Sequence, residues 1–589
     1  MSVKSNDKLP FYHRLLKGEN KIYWMSLAIG VFSGIAAMIL KNLIHFIENA
    51  LVGHLNISSE NLLFFAFPII GIFLTVLIIK IFVKDNLGHG VSKVLAAISL
   101  KRGKIKPHHM FSSMITSSLT IGFGGSVGGE APVVLTGAAI GSNMARFFKL
   151  SQQETMLLLG CGATGAIAGI FKAPLAGIVF TLEVLMLDMT MASMIPLLIS
   201  GISAAVVAYF FMGDAVMFQF HIVNIFDARN IPYYLILGII SGFVSLYFTR
   251  MTMFMERKFA TIRKPLMKVV YGGLILGLLI FVFPPLWGEG YTGINKIFHG
   301  IGPDLLDNSL FFNLKDNPWF LLLFLGLLMI FKVIAMTATT ASGGVGGVFA
   351  PSLFVGAIEG YFVALLFNQI FGLNLPADNF ALAGMGALMA GVMHAPLLGI
   401  FLTAEITGGY QLFFPLIISA IAAYLTIMRF EPHSIYTKTL ALNGDLVTHH
   451  KDNAVLHFMD VSHLIENDFE IVSPDATLGD LTKVIARSKR NLFPVVDKDG
   501  MLKGMIKMTD IREFIFNTEL YDKVKVKDLM YMPEHYISPH DTMLKVAEKF
   551  ESSGRFNLAV IDDGKYIGFI SRATVFSNYR MQVRTLSHD

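Results

Sequence analysis

Two stretches inside the most apolar part of this chain repeat one another. Val127-Gly128-Gly129-Glu130-Ala131-Pro132 returns as Val345-Gly346-Gly347-Val348-Phe349-Ala350-Pro351, the two valines standing 218 residues apart (345 − 127). Ala173-Pro174-Leu175, Gly177, Ile178, Thr181 and Glu183 return as Ala395-Pro396-Leu397, Gly399, Ile400, Thr403 and Glu405, at a constant offset of 222 (395 − 173). A duplicated half whose hydrophobic segments are broken by Gly and Pro at matching places is the mark of a transporter or channel. Its site is expected where the broken helices meet.

The composition agrees with that constraint. Of 589 residues, 54% are hydrophobic and 15% charged, and the mean hydropathy is +0.61. These values describe a polytopic membrane protein rather than a soluble enzyme. Apolar runs extend from Leu62–Val83 to Leu412–Met428, and from about Arg429 to Asp589 the chain reads as ordinary soluble sequence. The net charge of +5 sits mostly at segment ends, which argues against a nucleic-acid partner. Lys4, Lys8, Arg14, Lys17 and Lys21 precede the first apolar run and place the N-terminus in the cytoplasm. That polar start does not resemble a cleaved signal peptide. The one cysteine, Cys161, reads as a small packing residue, so neither a disulfide framework nor a cysteine metal site is expected. No zinc-protease, phosphate-loop or Ser–His–Asp signature stands out, so an enzyme and a metal centre are not expected either.

Glycine-rich turns at membrane depth are tolerated only where backbone is buried in protein or lines a polar cavity. Three occur, at Gly88-His89-Gly90, at 122–129 and at 343–347, and the last two run into helical stretches through Pro132 and Pro351. Proline costs little in a first helical turn. The free amides at such a helix start, carrying roughly +0.5 charge, make an anion site without Lys or Arg. Glu130 lies among them. A carboxylate within hydrocarbon costs about 2.5–3.5 kcal/mol on insertion scales, so its default reading is functional. Ionised, it imitates a permeant anion and occupies the anion's place; protonated, it can leave. The rival is a carboxylate paired with a buried base. Glu359 and Asp188 are further intramembrane acids to which spacing assigns no task.

Over roughly residues 20 to 440 the chain resembles the CLC chloride channels and chloride/proton antiporters. That family lines its anion pathway with Gly-Ser-Gly-Ile-Pro, Gly-x-Glu-Gly-Pro, Gly-x-Phe-x-Pro and a late tyrosine. Here these read Gly88-His89-Gly90-Val91-Ser92, Gly128-Gly129-Glu130-Ala131-Pro132, Gly347-Val348-Phe349-Ala350-Pro351 and Tyr436. The resemblance implies an all-α polytopic membrane domain, an inverted repeat of broken and re-entrant helices, and a homodimer with one pathway per subunit. Chloride is then the default anion. Gly88, His89, Gly90, Val348, Phe349 and Tyr436 would form the filter, on the backbone of Gly128, Gly129, Pro132, Gly347 and Pro351, with Glu130 as gate and proton acceptor. The expected divisions are a cytoplasmic segment at 1–21, a membrane domain at 22–445 with repeats at 22–215 and 230–428, and a cytoplasmic remainder at 446–589.

Two departures from the family pattern matter. His89 replaces the serine that holds the central anion, and Ser92 replaces the closing proline. Neutral imidazole still offers one N–H, so His89 is expected to donate to the anion, against a rival in which the ring turns away. The second departure concerns protons. Antiporters often carry two adjacent glutamates where this chain has Glu183 and Val184, and the inner proton acceptor corresponds to Val184. Glu183 lies one helical step, about 100°, from that face. It reads either as part of a proton path or, with Glu405, as a structural residue that caps a helix or packs on the dimer side. Tyr436 suits an anion donor at the inner mouth, with an interfacial belt tyrosine as its rival.

Beyond Val447 two similar α/β units follow, about 456–518 and 522–582. Phe493-Pro494-Val495-Val496-Asp497 with Gly504-Met505-Ile506 matches Asn557-Leu558-Ala559-Val560-Ile561-Asp562 with Gly568-Phe569-Ile570. They resemble a tandem pair of CBS domains, some of which bind adenine nucleotides. The ribose-contacting pattern is broken in both copies, which have Lys507 with Asp510 and Ser571 with Thr574. Asp510 and Ser571 are therefore the residues a nucleotide would meet, and dimerisation or structural support is the expectation. The leading reading is an anion channel or transporter gated by Glu130, with a proton-coupled antiporter as alternative. Val184 weighs against strict proton coupling. A CBS-bearing cation transporter would need several acids converging within the spans, and the filter turns supply one. A bacterial inner membrane with both termini cytoplasmic completes the reading.

Overall fold

The computed structural model describes residues 19–52, 61–85, 88, 90–187, 191–213, 217–218, 226–408, 410–442, 456 and 459–587. His89, Asp188, the basic N-terminal residues before Glu19 and the expected boundary at 445/446 lie outside them. The chain separates into a unit Met1–Leu446 and a unit Val447–Asp589.

In the first half of the membrane unit the helices are α1 (Glu19–Val52), α2 (Asn61–Ile78), α3 (Gly90–Leu100), α4 (Ser112–Gly122), α5 (Glu130–Phe147), α6 (Gln152–Phe171), α7 (Pro174–Glu183) and α8 (Met191–Met212). The second half contains α9 (Ile231–Ala260), α10 (Pro265–Val282), α11 (Tyr291–Phe298), α12 (Pro318–Ala341), α13 (Phe349–Phe371), α14 (Ala377–Met393), α15 (Pro396–Ile406), α16 (Phe413–Met428) and α17 (Lys438–Leu442). Eight helices among the described residues are long and apolar enough to cross a membrane, and α3, α7 and α15 are much shorter apolar pieces. Long spans interleaved with half-length helices are what buried, broken backbone requires.

Local sequence explains the breaks. Ser151 and Glu154 form a reciprocal capping box at the start of α6. At its other end Lys172 adopts a left-handed conformation (φ 56°), and Pro174 opens α7 immediately after. His394 (φ 55°) and Pro396 repeat this arrangement between α14 and α15. Small residues set the packing. A Cβ on Gly137 of α5 would collide with the Gly162 carbonyl of α6, and one on Gly356 of α13 would collide with the Gly384 carbonyl of α14. Without a hydrophobic drive between helices in lipid, such close backbone approach supplies the van der Waals contact that holds them together.

The second unit contains β1 (Leu492–Val496) antiparallel to β2 (Leu502–Lys507), and a sheet of β3 (Tyr536–Ile537), β4 (Asn557–Asp562) and β5 (Lys565–Ser571) in that order. β3 runs parallel to β4, and β4 pairs antiparallel with β5. Leu478–Arg487 and Met543–Ser553 are the helices before β1 and β4. Phe469 packs on Phe569 with ring centroids 4.5 Å apart, in a small core shared by the two copies.

Candidate functional site: where the two repeats meet

The two filter turns are joined to one another. The Gly128 amide donates to the Gly347 carbonyl at 3.0 Å, and the Gly347 amide donates to the Gly128 carbonyl at 2.7 Å, as an antiparallel bridge. Thr120 Oγ1 accepts the Val345 amide at 3.0 Å, and Thr339 Oγ1 accepts the Ser126 amide at 3.2 Å. Reciprocal exchange of the same bonds is the signature of an approximate two-fold relation. The structural offset through these turns is therefore 219 (347 − 128), not the 218 of the matching valines. Hydrogen bonding sets the register, so Val127 corresponds to Gly346 and Glu130 to Phe349.

Both turns end on open helix starts. α5 begins at Glu130 after Gly129, and α13 begins at Phe349 after Val348, neither closed by a capping side chain of its own N-cap residue. Pro132 and Pro351 occupy the third positions of these helices. The third turn reaches the same place: Gly90 opens α3, and a Cβ there would collide with the Ala131 carbonyl. Ser92, one residue further along α3 than Val91, donates its hydroxyl to the Tyr436 carbonyl at 3.1 Å. Tyr436 is buried, and its hydroxyl has no hydrogen-bond partner among the described residues. It lies within electrostatic reach of Glu130. Phe349 is wholly buried, with the rings of Phe171 and Phe180 at 6.1 and 5.8 Å.

Glu130 is 0% exposed. The Tyr291 hydroxyl, at the start of α11, donates to its Oε1. Oε2 has no hydrogen bond of good geometry among the described residues. The carboxylate folds back over Gly128, where an added Cβ would strike Oε2, and it faces the amides of Glu130 itself and of Ala350. Glu130 thus starts in one repeat and lays its charge against the helix start of the other.

Three residues of this site carried no weight in the sequence reading. Tyr291 holds Glu130. Glu289 Oε1 accepts the Gly129 amide at 2.9 Å. Lys332, on α12, is 0% exposed. Its Nζ donates to the carbonyls of Gly288 at 2.8 Å and Leu286 at 3.4 Å and lies 5.1 Å from the Phe354 ring centroid. The rival reading of Glu130 required a buried base. One exists, but it grips the turn that carries Glu289 rather than Glu130. A lone charge within the apolar run Trp319–Met336 was the signal available for Lys332, and Gly288-Glu289-Gly290 after Pro284-Pro285 was that for Glu289.

Glu183 and Glu405 exchange caps. Glu183 accepts the amides of Leu397 and Leu398 at 3.1 and 2.8 Å at the start of α15, and Glu405 accepts those of Leu175 and Ala176 at 3.2 and 2.8 Å at the start of α7. Val184 is buried. Glu359 is 1% exposed, without a hydrogen bond of good geometry to either oxygen among the described residues, and faces Ser241 apart from these groups. Asp85, just before the first filter turn, gathers Lys106 at 3.0 Å, His108 at 3.4 Å and His109 at 3.6 Å on one oxygen. Burial opposes its charge, but the Lys106 hydrogen bond and the nearby Lys93 charge outweigh it and hold the carboxyl down at about 2. In the second unit, Ser571 and Thr574 both donate to Glu466 Oε1, at 2.6 and 2.5 Å, and Arg490 holds its other oxygen at 2.8 Å. Asp510 is exposed beside Thr509.

A duplicated helical membrane domain, with broken helices converging head to head on a buried carboxylate, defines an ion-transport protein. Residues 70–427 match the voltage gated chloride channel family, and 461–517 and 526–580 match the CBS domain. The chain belongs to that chloride channel family and carries a C-terminal tandem CBS pair. It is 28% identical over 455 residues to an H(+)/Cl(-) exchange transporter ClcA of Vibrio cholerae, covering 74% of this chain and 90% of the relative. It is 29% identical over 334 residues to a voltage-gated ClC-type chloride channel ClcB of Salmonella typhimurium, covering 56% and 75%. The fold also matches the crystal structure of a slow cyanobacterial Cl-/H+ antiporter, with a TM-score of 0.61 at 23% identity over 73% of this chain and 98% of that one.

Proposed function

We propose that this chain moves a small monovalent anion, chloride by default, through the junction of its two repeats, with Glu130 as the gate. The observation that carries this is the position of Glu130: a fully buried carboxylate, held by Tyr291, laid over the amides of the opposite repeat's helix start. Those amides suit a halide as they suit the carboxylate, so the two compete for one place. Val348, Phe349 and Tyr436 complete the cradle, the last with a buried hydroxyl that has no partner among the described residues, and His89 is the further donor from the first turn. The role assigned to the site is transport rather than catalysis.

Val184 stands where an inner proton acceptor would, and Glu183 spends its carboxylate on two amides of α15. We assign Glu183 a structural role and read the chain as passing anions without strict proton coupling; proton-coupled antiport is the alternative. The CBS pair serves assembly or support, because Glu466 already takes the Ser571 hydroxyl that a nucleotide would meet, along with that of Thr574. A homodimer in a bacterial inner membrane, with both termini cytoplasmic, fits this reading. The test is the reversal potential of reconstituted full-length protein with chloride and pH gradients varied independently. A potential that follows chloride alone supports the passive reading, one that shifts with pH supports antiport, and flux indifferent to chloride rejects both.

A further inference from the structure

One amide of the first filter turn is already taken, and not by Glu130. Gly129 is the N-cap residue of α5, and its N–H ends on Glu289 Oε1 at 2.9 Å. Its repeat counterpart, Val348, stands at the start of α13 with no such carboxylate among the described contacts. Glu289 belongs to the turn between α10 and α11, and Lys332 holds that turn from beneath through the Gly288 and Leu286 carbonyls. A cleft of about 280 Å³ opens against the same turn. Trp287 and Gly290 line it, as do Glu48 and Lys296. The turn that carries Glu289 thus borders the cleft and reaches Gly129 through the Glu289 carboxylate. The charged groups around it are Lys41, His45 and Glu48 on α1, Glu130 on α5 and Lys332 on α12, with the Tyr291 phenol beside them.

Resting on the reading of Glu130 as the gate, we propose that Glu289 is a second carboxylate occupying an anion site of its own. This site lies at the Gly129 amide, between the cleft and the site that Glu130 covers. The physical grounds are those that make Glu130 a stand-in for an anion: a carboxylate bonded to the first open amide of a helix start mimics a halide there. Two lysines, Lys41 and the wholly buried Lys332, lie within electrostatic reach of the same carboxylate. An anion coming from the cleft meets Glu289 first and Glu130 second. The pathway then carries two carboxylate occupants in series, Glu289 on the first repeat's helix start and Glu130 against the second's, and no counterpart of Glu289 meets Val348 among the described residues.

Chloride binding to the detergent-solubilised full chain, followed by titration calorimetry, tests this. Glu289→Gln keeps the side-chain size, removes the charge and is expected to bind one more chloride per chain than the parent. The same increment is expected on a Glu130→Gln background. Glu289→Asp, which keeps the charge, is expected to return the parent stoichiometry; it also serves as the folded control if the Gln variant is unstable. Chloride stoichiometry unchanged by Glu289→Gln in both backgrounds, while Glu130→Gln alters chloride flux, overturns the second site and leaves the gate standing. Flux and acid dependence both unaltered by Glu130→Gln overturn the gate, and the second site with it.

Discussion

The two filter turns share a backbone and differ in chemistry. Gly128 and Gly347 bond to each other, Thr120 and Thr339 each hold the other repeat's turn, and α5 and α13 start at equivalent positions. Yet the first turn bears Glu130, held by Tyr291, and yields its Gly129 amide to Glu289, whereas the second bears buried Phe349 between two phenylalanine rings. Duplication builds a symmetric cradle from amides, which every residue has. Function is then written onto one half by side chains, which can diverge without disturbing the backbone. Glu183 and Glu405 show the opposite case, where identical side chains persist because each caps the other repeat.

The sharpest way to break this comparison is at the gate positions. Glu130→Gln should abolish the acid dependence of anion flux in vesicles, while Phe349→Leu at the equivalent position should leave that dependence intact. Equal effects would mean that chemistry as well as scaffold is duplicated. Next in size come the shared threonines. Thr120→Val and Thr339→Val each strand a buried amide, at about 1–3 kcal/mol, and the two should lower the melting temperature in detergent by similar amounts.

The exchanged caps are worth less, about 1 kcal/mol each. Glu183→Gln and Glu405→Gln should destabilise equally, and neither should change proton flux; a loss of proton flux with Glu183→Gln alone would restore its proton-path reading. The smallest effect concerns a group on the first half only. Burial, aided by Lys93 and His108 and opposed by Asp85, holds His109 down at about 4. The unfolded chain, with an ordinary imidazole near 6.5, takes up that proton first as pH falls. Stability from this source is therefore intact above about 6.5 and lost on the way to about 4. His109→Gln should flatten the dependence of the melting temperature across that interval, and an unchanged slope would remove His109 as its origin.

Much of the site was legible because its signals are local. Glycine turns before a proline-bearing helix, and a glutamate where lipid should be, can be read from a few residues. The repeat was legible too, although matching valines misplaced its register by one residue, since side-chain identity does not report which amides pair. Lys332 and Glu289 were visible as oddities but had no assignable partner, because their meaning depends on α12 and the α10–α11 turn arriving beside Gly129. Tyr291 had no local signal at all.

By itself, then, the order of residues determined a membrane-embedded, duplicated helical protein with anion-seeking helix starts and an acid among them, because hydropathy, backbone breaks and charge are properties of short segments. Only tertiary structure decided that the two starts face each other, that Glu130 lies against the far repeat rather than on a base, that Glu183 and Glu405 trade caps, and that a second carboxylate takes the Gly129 amide. Each of these is a contact between segments 160 or more residues apart. Local sequence carries no record of which distant amide a carboxylate will reach.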